Sequence, residues 1–219
     1  MGLIDLVEAT ETARSNGWYR FKGSVDDIRN AARRQGWSEV ANRRGGPLVS
    51  TLRPTTHEDS RKCSLSAIHG LGPQPLHTDG AHHRHPPRFI FLVARQPNPV
   101  PTLLHHYRLS MDGRHLRPQH LRDGVFVVRS GKENFYTTAS LGDGVRFDPG
   151  CMTPCDQRSR AVKQYFADLS GTAFEFQWSE PDLAVLIDNY AVLHGRGDAT
   201  GEKNGERTLY RMSFSVGTA

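Results

Sequence analysis

Apolar residues recur along this chain at strand spacing more often than at helix spacing. The clearest runs predict buried or alternating strands at Arg88–Ala94, Thr102–Leu109, Gly124–Arg129, Leu183–Ile187 and Arg207–Val216. Weaker runs add strands at Leu48–Leu52, Asn134–Ala139, Val145–Phe147 and Phe174–Trp178. Glycine and proline separate the runs, with a turn at Asp112–Gly113 and a rigid connection through Pro97, Pro99 and Pro101.

Helical spacing is confined to three segments. Ser24 is an N-cap residue, and Asp26 and Asp27 follow it in the first turn, where the helix dipole favours acids. That helix keeps one apolar face and ends at Gly36. Ser159–Leu169 has a second apolar helical face, and the stretch from Met1 to Tyr19 has a weaker one.

Many short strands with glycine and proline turns predict a mainly β fold with flanking helices (α+β). We expect its core to be a double-stranded β-helix, the jelly-roll or cupin-like barrel. A length of 219 residues predicts one domain, 1–219. Within it, residues 1–63 hold the N-terminal helices and an edge strand, and residues 103–180 hold the lid or insert region and a helix.

Charge and apolar content exclude some classes of partner. The net charge is +5, but the basic residues are dispersed, and Arg33–Arg34 and Arg43–Arg44 are only short pairs. A solvated surface, or one that attracts small anions, explains this better than a nucleic-acid face. No apolar run is long enough for a membrane span, and the N-terminal residues lack a signal-peptide pattern.

The cysteines predict a reducing compartment. Cys63, Cys151 and Cys155 are too few, and odd in number, for a disulfide framework. We therefore expect a cytoplasmic protein. Cys151 and Cys155 are four residues apart, which leaves metal binding or a redox pair as an alternative to ordinary loop cysteines.

The motif His77-Thr78-Asp79 carries the main candidate chemistry. Side chains two residues apart on an extended backbone share a face, so the imidazole and the carboxylate can bind one ion. His194 follows another predicted buried strand and can supply a third ligand. Two histidines and one carboxylate form a facial triad, which holds Fe(II) and leaves positions open for small molecules.

Three segments in this order make the sequence resemble the taurine dioxygenase and clavaminate synthase-like Fe(II)/2-oxoglutarate-dependent oxygenases. They are Leu76–Ala81, Asp188–Arg196 and Arg207–Arg211, and Val145–Asp148 resembles a further family segment. The resemblance extends over most of the chain from about Ser64. Family enzymes usually run longer, and the region before His77 and the lid segment are short here. A small or open active site, a carrier-bound substrate and a lid donated by a partner are all compatible with that.

The resemblance also implies roles for individual residues. His77, Asp79 and His194 would bind iron, and Arg207 would hold the distal carboxylate of 2-oxoglutarate with a hydroxyl from Thr102. Arg211 matches a position that faces the co-substrate or the substrate. Further substrate contacts would come from Arg196 and Arg84, although Arg196 has a structural role as an equal alternative.

The implied activity is hydroxylation of an unactivated carbon in a small, polar, amino-acid-like metabolite, as in secondary metabolism. Its cofactors would be Fe(II), 2-oxoglutarate as co-substrate and dioxygen, and 2-oxoglutarate would be converted to succinate. The substrate is a small molecule, free or carrier-protein-bound, and no nucleic acid or membrane partner is expected. The sequence leaves open the substrate, desaturation or cyclisation as outcomes, and the oligomeric state.

Two other functions remain open at this point. A zinc hydrolase or lyase on a cupin-like barrel could use the same histidines, but it has no use for Arg207, Arg211 and Thr102. A basic, non-enzymatic binding module would make the histidines incidental. The extra histidines are predicted to face solvent rather than form a second metal cluster; they are His82, His83, His85, His105 and His106. We expect Asp188–Asn189 to form a turn that aims His194.

Overall fold

The computed structural model describes residues 4–62, 64–107, 118–131, 133–202 and 207–217. Its helices are α1 (Leu6–Asn16), α2 (Val25–Arg34), α3 (Leu65–His69), α4 (Pro118–Asp123) and α5 (Gln157–Asp168), with a 3-10 turn at Leu169–Thr172. The strands of the first half are β1 (Trp18–Lys22), β2 (Ser38–Glu39), β3 (Val49–Leu52), β4 (Phe89–Ala94) and β5 (Asn98–His106). Those of the second half are β6 (Val125–Ser130), β7 (Glu133–Thr138), β8 (Ser140–Leu141), β9 (Gly144–Val145), β10 (Met152–Pro154), β11 (Phe174–Trp178), β12 (Leu183–Asp188), β13 (Val192–Arg196) and β14 (Leu209–Ser215).

Antiparallel pairing organises these strands into one large sheet and three small ones. The large sheet has the order β1-β12-β4-β14-β2, and β3 also pairs with β14. A three-stranded sheet has the order β11-β5-β13, and another has the order β10-β6-β7. The short β8-β9 pair completes the set. The fold is therefore mainly β with a few helices, as the sequence predicts.

Strand β4 shows how the layers are stacked. All six of its residues are buried, because successive side chains point to opposite faces and both faces are covered. Phe89, Phe91 and Val93 pack in a cluster with residues of α1 and α2. Ile90, Leu92 and Ala94 pack in another cluster, with Leu104, Phe176 and Val192 of the β11-β5-β13 sheet. The large sheet thus has helices on one face and the smaller sheet on the other.

Helix α2 begins where its predicted capping residue, Ser24, places it. The Ser24 side chain accepts from the Asp27 backbone, and the Asp27 side chain accepts in return from the Ser24 backbone. This capping box satisfies two amide groups at the start of α2. Asp5 caps α1 by accepting from the backbones of Val7 and Glu8. Among the described residues, no helix combines the length and apolar character that crossing a bilayer requires.

Strand β5 corrects two predictions. The prolines at 99 and 101 do not form a separate connection, because β5 already begins at Asn98. They lie where the β11 register is irregular, between the pairs Asn98–Trp178 and Thr102–Phe176, and proline is tolerated at such irregularities. His105 and His106 are buried in this strand, at 9% and 8% exposure, so the prediction that they face solvent was wrong. The predicted strand end at Leu109 and the turn at Asp112–Gly113 lie outside the described residues.

Most other strand predictions are confirmed to within a few residues, whereas several short elements are not in the prediction. At Val145–Phe147 only the first residue belongs to a strand, β9. The elements missed were β1, β2, α3, α4, β8, β10 and β13. The last of these matters most, because His194 follows β12, as predicted, and itself lies inside a further strand.

Candidate metal centre

The two histidines of the predicted triad face each other across a β-bridge. His77 donates its backbone N–H to the His194 carbonyl at 2.9 Å, and His194 donates to the His77 carbonyl at 2.8 Å. Residues paired in this way place their side chains on the same face, and the two ring centroids are 4.8 Å apart. Gly195 allows the approach, since a Cβ there would lie 2.6 Å from the Gln74 carbonyl oxygen.

The backbone of Asp79 is held by the side chain of Asn189. Asn189 Oδ1 accepts from the Asp79 N–H at 2.8 Å, and its Nδ2 donates to the carbonyls of Asp79 and Pro87, both at 2.9 Å. Asn189 is fully buried. Gly80 then turns the chain with φ +69°, a conformation that favours glycine. The turn at 188–189, predicted to aim His194, thus also fixes Asp79.

The three ligand atoms meet in a small buried space. All of them lie within 4.8 Å of one another, with His77 Nε2 4.0 Å from Asp79 Oδ1 and His194 Nε2 3.7 Å from Asp79 Oδ2. His77 Nδ1 donates to the Pro75 carbonyl at 3.0 Å, since a carbonyl can only accept. That bond leaves Nε2 of His77 with a lone pair aimed at the other two ligands.

The electrostatics of the triad keep it ready for a cation. Burial acts to raise the pKa of the Asp79 carboxyl, but Arg211, His194 and His77 outweigh it and hold that pKa well below its usual range. Burial, together with the nearby His194, lowers the pKa of His77. The set at neutral pH is therefore an ionised carboxylate beside a neutral His77 imidazole, which are the protonation states that metal binding requires.

The residues present fit a divalent transition metal. Asp79 Oδ2 is buried and has no hydrogen-bond partner in the described part of the chain, which is unfavourable unless something binds it. Ligand–metal distances of about 2.1 Å would place neighbouring ligand atoms about 3 Å apart, so a small contraction of the 3.7–4.0 Å separations suffices. The donor set suits Fe(II) and, less selectively, Zn(II). Within the described residues no second group of three or more such ligands is found.

A buried cation and a hydroxyl lie in the same cavity as the triad. Arg207 is 4% exposed, and it donates from Nη2 to Thr102 Oγ1 and from Nε to the Val100 carbonyl, both at 3.3 Å. Trp178 Nε1 also donates to Thr102 Oγ1, at 3.1 Å. Burial, with the nearby Arg196, lowers the pKa of Arg207 to about 10, so its guanidinium stays charged at neutral pH. No carboxylate of the described residues forms an ion pair with it.

The other three arginines for which substrate or co-substrate contacts were predicted differ in position and in bonding. Arg211 lines the cavity and forms an ion pair with the triad itself, with 2.6 Å between its Nη1 and Asp79 Oδ1. Arg196 also lines the cavity, but its Nη2 donates to the carbonyls of Gly70 and Gly72, at 2.6 Å each. Arg84 is not among the residues lining this cavity; its guanidinium lies 5.3 Å from the centroid of the Phe135 ring.

The cavity has a volume of about 270 Å³ and opens through a polar rim that sequence reasoning missed. This rim, which we call the mouth, consists of Thr51, Arg53, Thr55, Asp59, Arg61, Ser64, Ser66 and Gln74. A second set of lining residues, which are buried and which we call the wall, consists of His77, Asp79, Thr102, His194 and Arg207. Nothing in the sequence around residues 51–66 marks it as part of a site, because its residues approach the triad only through the pairing of β3 with β14.

The remaining candidates lie apart from the metal centre. His82 bonds to the Asn42 carbonyl at 2.8 Å, and His85 is exposed. Cys151 is half-buried, and burial together with Asp148 raises the pKa of its thiol well above its usual range. Cys155 is exposed, and Cys63 lies outside the described residues. Neither described cysteine belongs to a metal-binding group of three.

Comparisons with known proteins identify relatives by fold alone. No protein-family model matches the sequence, and no curated protein matches it. An asparagine oxygenase, solved with Fe(II), hydroxyasparagine and succinate, aligns with a TM-score of 0.74 and 17% identity, over 96% of this chain and 78% of that one. The non-heme iron oxygenase OrfP, solved with Fe, succinate and (3S)-hydroxy-L-Arg, gives 0.69 and 15%, over 97% and 78%.

A third similar structure is PvcB, an Fe, alpha-ketoglutarate-dependent oxygenase from an isonitrile synthetic pathway. Its TM-score is 0.66 at 15% identity, over 96% of this chain and 80% of that one. At these identities the likeness establishes the fold. The chain therefore has the fold of this group of oxygenases, with a His-Asp-His group at its centre.

Proposed function

We propose that this chain is an Fe(II)- and 2-oxoglutarate-dependent oxygenase of the taurine dioxygenase and clavaminate synthase-like type. The large sheet and the β11-β5-β13 sheet form its double-stranded β-helix, and residues 1–219 form one domain. It hydroxylates an unactivated carbon of a small, polar, amino-acid-like substrate and converts 2-oxoglutarate to succinate. The reducing compartment predicted from its cysteines places it in the cytoplasm.

One observation carries the proposal: a buried His-Asp-His group shares its cavity with a buried arginine, Arg207, whose guanidinium forms no ion pair with any described carboxylate, the nearby Glu202 included. A charged guanidinium without a carboxylate is costly unless an anion binds it. Arg207 is planar and presents parallel N–H donors, which match a carboxylate. The metal ligands and this anion site line one cavity, which is what a dicarboxylate chelating the metal at one end requires.

The roles of the individual residues follow from their contacts. When bound, Fe(II) would supply the activation of dioxygen that couples decarboxylation of 2-oxoglutarate to substrate oxidation. His77 and His194 would present ring nitrogens to the metal, and Asp79 its unpartnered Oδ2. Arg207 binds the distal carboxylate of 2-oxoglutarate, and Thr102 adds its hydroxyl proton. Trp178 orients Thr102 by donating to the same oxygen.

We assign substrate recognition to the mouth of the cavity. The asparagine oxygenase and OrfP complexes contain hydroxylated amino acids, which supports a small amino-acid-like substrate here. The open mouth also accommodates an amino acid presented on a carrier protein. Arg196 supports the turn at Gly70–Gly72 rather than the substrate, and Arg84 stays a predicted contact at the entrance.

The two alternative functions account for fewer of the cavity's residues than the oxygenase does. A zinc hydrolase could use the same three ligands, but it leaves Arg207 and Thr102 without a purpose. A nucleic-acid-binding module explains the basic surface, but not the buried triad. Activity without 2-oxoglutarate and oxygen would favour the first, and salt-sensitive nucleic-acid binding without bound metal would favour the second.

Anaerobic titration with Fe(II) and 2-oxoglutarate tests the proposal. We expect a weak visible charge-transfer band from the bound pair, and no band for Asp79→Ala. His85→Ala, which changes an exposed histidine, is the matched control and should keep the band. Succinate formation in air, screened against free and carrier-bound amino acids, then measures turnover. Absence of the band in the unmodified protein would exclude the proposed function.

A further inference from the structure

The cavity carries more positive charge than the proposed cofactors offset. Five arginines line it, whereas Asp59 and Asp79 are its only carboxylates among the described residues. Fe(II) would add two positive charges, and 2-oxoglutarate would bring two negative ones. Their binding therefore leaves the positive excess unchanged. A substrate that enters this cavity meets a field that favours anions.

Three of the five arginines already have partners. Arg211 is bound to Asp79, and Arg196 is bound to the carbonyls of Gly70 and Gly72. Arg207 is the cation on the wall, where 2-oxoglutarate would bind. These three arginines therefore already serve the triad, the turn at Gly70–Gly72 or the co-substrate, although Nε of Arg196 and of Arg211 has no hydrogen-bond partner among the described residues. The two arginines left are Arg53 and Arg61, and both belong to the mouth.

Both remaining arginines are exposed, and no ion pair to either is found in the described part of the chain. Arg53 directly follows β3, the strand that pairs with β14, which carries Arg211. Arg61 is in a turn, because its carbonyl accepts from the Ser64 N–H at 3.2 Å and the Ser64 hydroxyl at 2.7 Å. A further side-chain bond orders the loop between them, at 2.7 Å between Thr55 and Ser60.

We infer that Arg53 and Arg61 form a substrate-binding site for an anionic group, so that the preferred substrate is a small amino-acid-like compound with net negative charge. This inference rests on the proposed function and specifies its substrate class. The recognised chemistry is a carboxylate or phosphate presented away from the metal. Asp59, in the same mouth, is placed to accept from the ammonium group of such a substrate.

Pairs of compounds that differ only in charge test the inference. L-Aspartate and L-asparagine, and L-glutamate and L-glutamine, are titrated calorimetrically into the anaerobic Fe(II) enzyme saturated with 2-oxoglutarate. We expect the acid of at least one pair to bind about 10-fold more tightly than its amide, with the difference shrinking at high salt. O-Phospho-L-serine separates a phosphate site from a carboxylate site.

Two variants locate the effect. Arg53→Gln and Arg61→Gln should each weaken binding of the preferred anion about 10-fold and change binding of the amide less than about 2-fold. Arg160→Gln, which removes an exposed arginine from α5, is the matched control for net charge and should change neither affinity. Unaltered thermal denaturation of the variants checks that they are folded.

The outcomes separate this inference from the proposed function. If Fe(II) and 2-oxoglutarate bind but acids and amides bind equally, or none of the compounds binds, the inference is overturned and the oxygenase proposal stands. Retention of full anion affinity by both variants overturns it as well. If Fe(II) and 2-oxoglutarate fail to bind at all, the proposed function itself fails.

Discussion

The wall and the mouth of the cavity are built in different ways. Three wall residues, His77, Thr102 and His194, lie on strands or in a β-bridge, whereas Asp79 lies in a turn and Arg207 just before β14. The wall residues are buried and are fixed by bonds such as those of Asn189 to Asp79. The mouth consists mostly of loop residues between β3 and α3, its arginines are exposed, and its bonds are local, as between Thr56 and Asp59 at 2.8 Å.

This contrast suggests a division of labour within one cavity. Groups that hold a metal and a small dicarboxylate need fixed geometry, which strands provide. Groups that recognise a variable substrate tolerate an adjustable loop. We therefore expect changes in the wall to affect the metal and 2-oxoglutarate, and changes in the mouth to affect the substrate.

The largest contrast is expected from the same substitution at an arginine of each region. Arg207→Met removes the buried guanidinium, so 2-oxoglutarate should bind on the order of 100-fold more weakly while metal affinity is kept. Arg61→Met should leave 2-oxoglutarate affinity within about threefold. Titration of each Fe(II)-loaded variant with 2-oxoglutarate measures this. Equal losses in both variants would contradict the division.

A smaller contrast compares two amide side chains. Asn189→Ala breaks three buried hydrogen bonds and should lower the free energy of unfolding by about 3 kcal/mol and the metal affinity about 10-fold. Gln74→Ala breaks one bond, to Ser66 at 2.9 Å, and should cost under about 1 kcal/mol without changing metal affinity. Urea denaturation and metal titration measure the two effects. A Gln74 variant that loses metal affinity would argue against separate roles.

The smallest contrast concerns pH. Burial, with a neighbouring charged group, lowers the pKa of His105 in β5 and of His69 in α3. Because the unfolded chain then binds the proton more readily, stability is full above about pH 6.5 and falls as the pH drops below it. The metal-free protein should thus melt at a lower temperature at pH 5.5 than at pH 7.5. His105→Gln should flatten this dependence by about 1 kcal/mol, and His69→Gln should flatten it less, because His105, on the same strand as Thr102 of the wall, is buried and His69, in the helix beside the mouth, is only half-buried. The reverse order would contradict this contrast between β5 and α3.

The strands were predictable because most of them are buried on one or both faces. Their apolar residues therefore either alternate along the sequence or form a continuous run. Phe89–Ala94 and Leu183–Asp188 are examples, since each is a continuous apolar run. Short elements such as β2 and β10 carry too few residues to show any period. The start of β5 was missed because proline normally opposes a strand, and only the irregular register with β11 accommodates it.

Only those residues of the candidate site that belong to sequence motifs were predictable. The spacing of His77 and Asp79 and a resemblance to known oxygenases named the three grouped residues together with Arg207 and Thr102. The ion pair of Arg211 with Asp79 joins residues 132 positions apart, and no local pattern encodes it. The role of Asn189 and the arginines of the mouth likewise depend on tertiary contacts, which sequence periodicity does not contain.

The bridge between His77 and His194 implies an order of events during biosynthesis. The two imidazoles come from distant parts of the polypeptide and become neighbours only when that bridge has formed. The nascent chain must therefore fold before it can capture its ion, and the ion then acts as a staple that resists unfolding. On the proposed function, the metal-free protein would be folded but would unfold more readily than the metal-bound form.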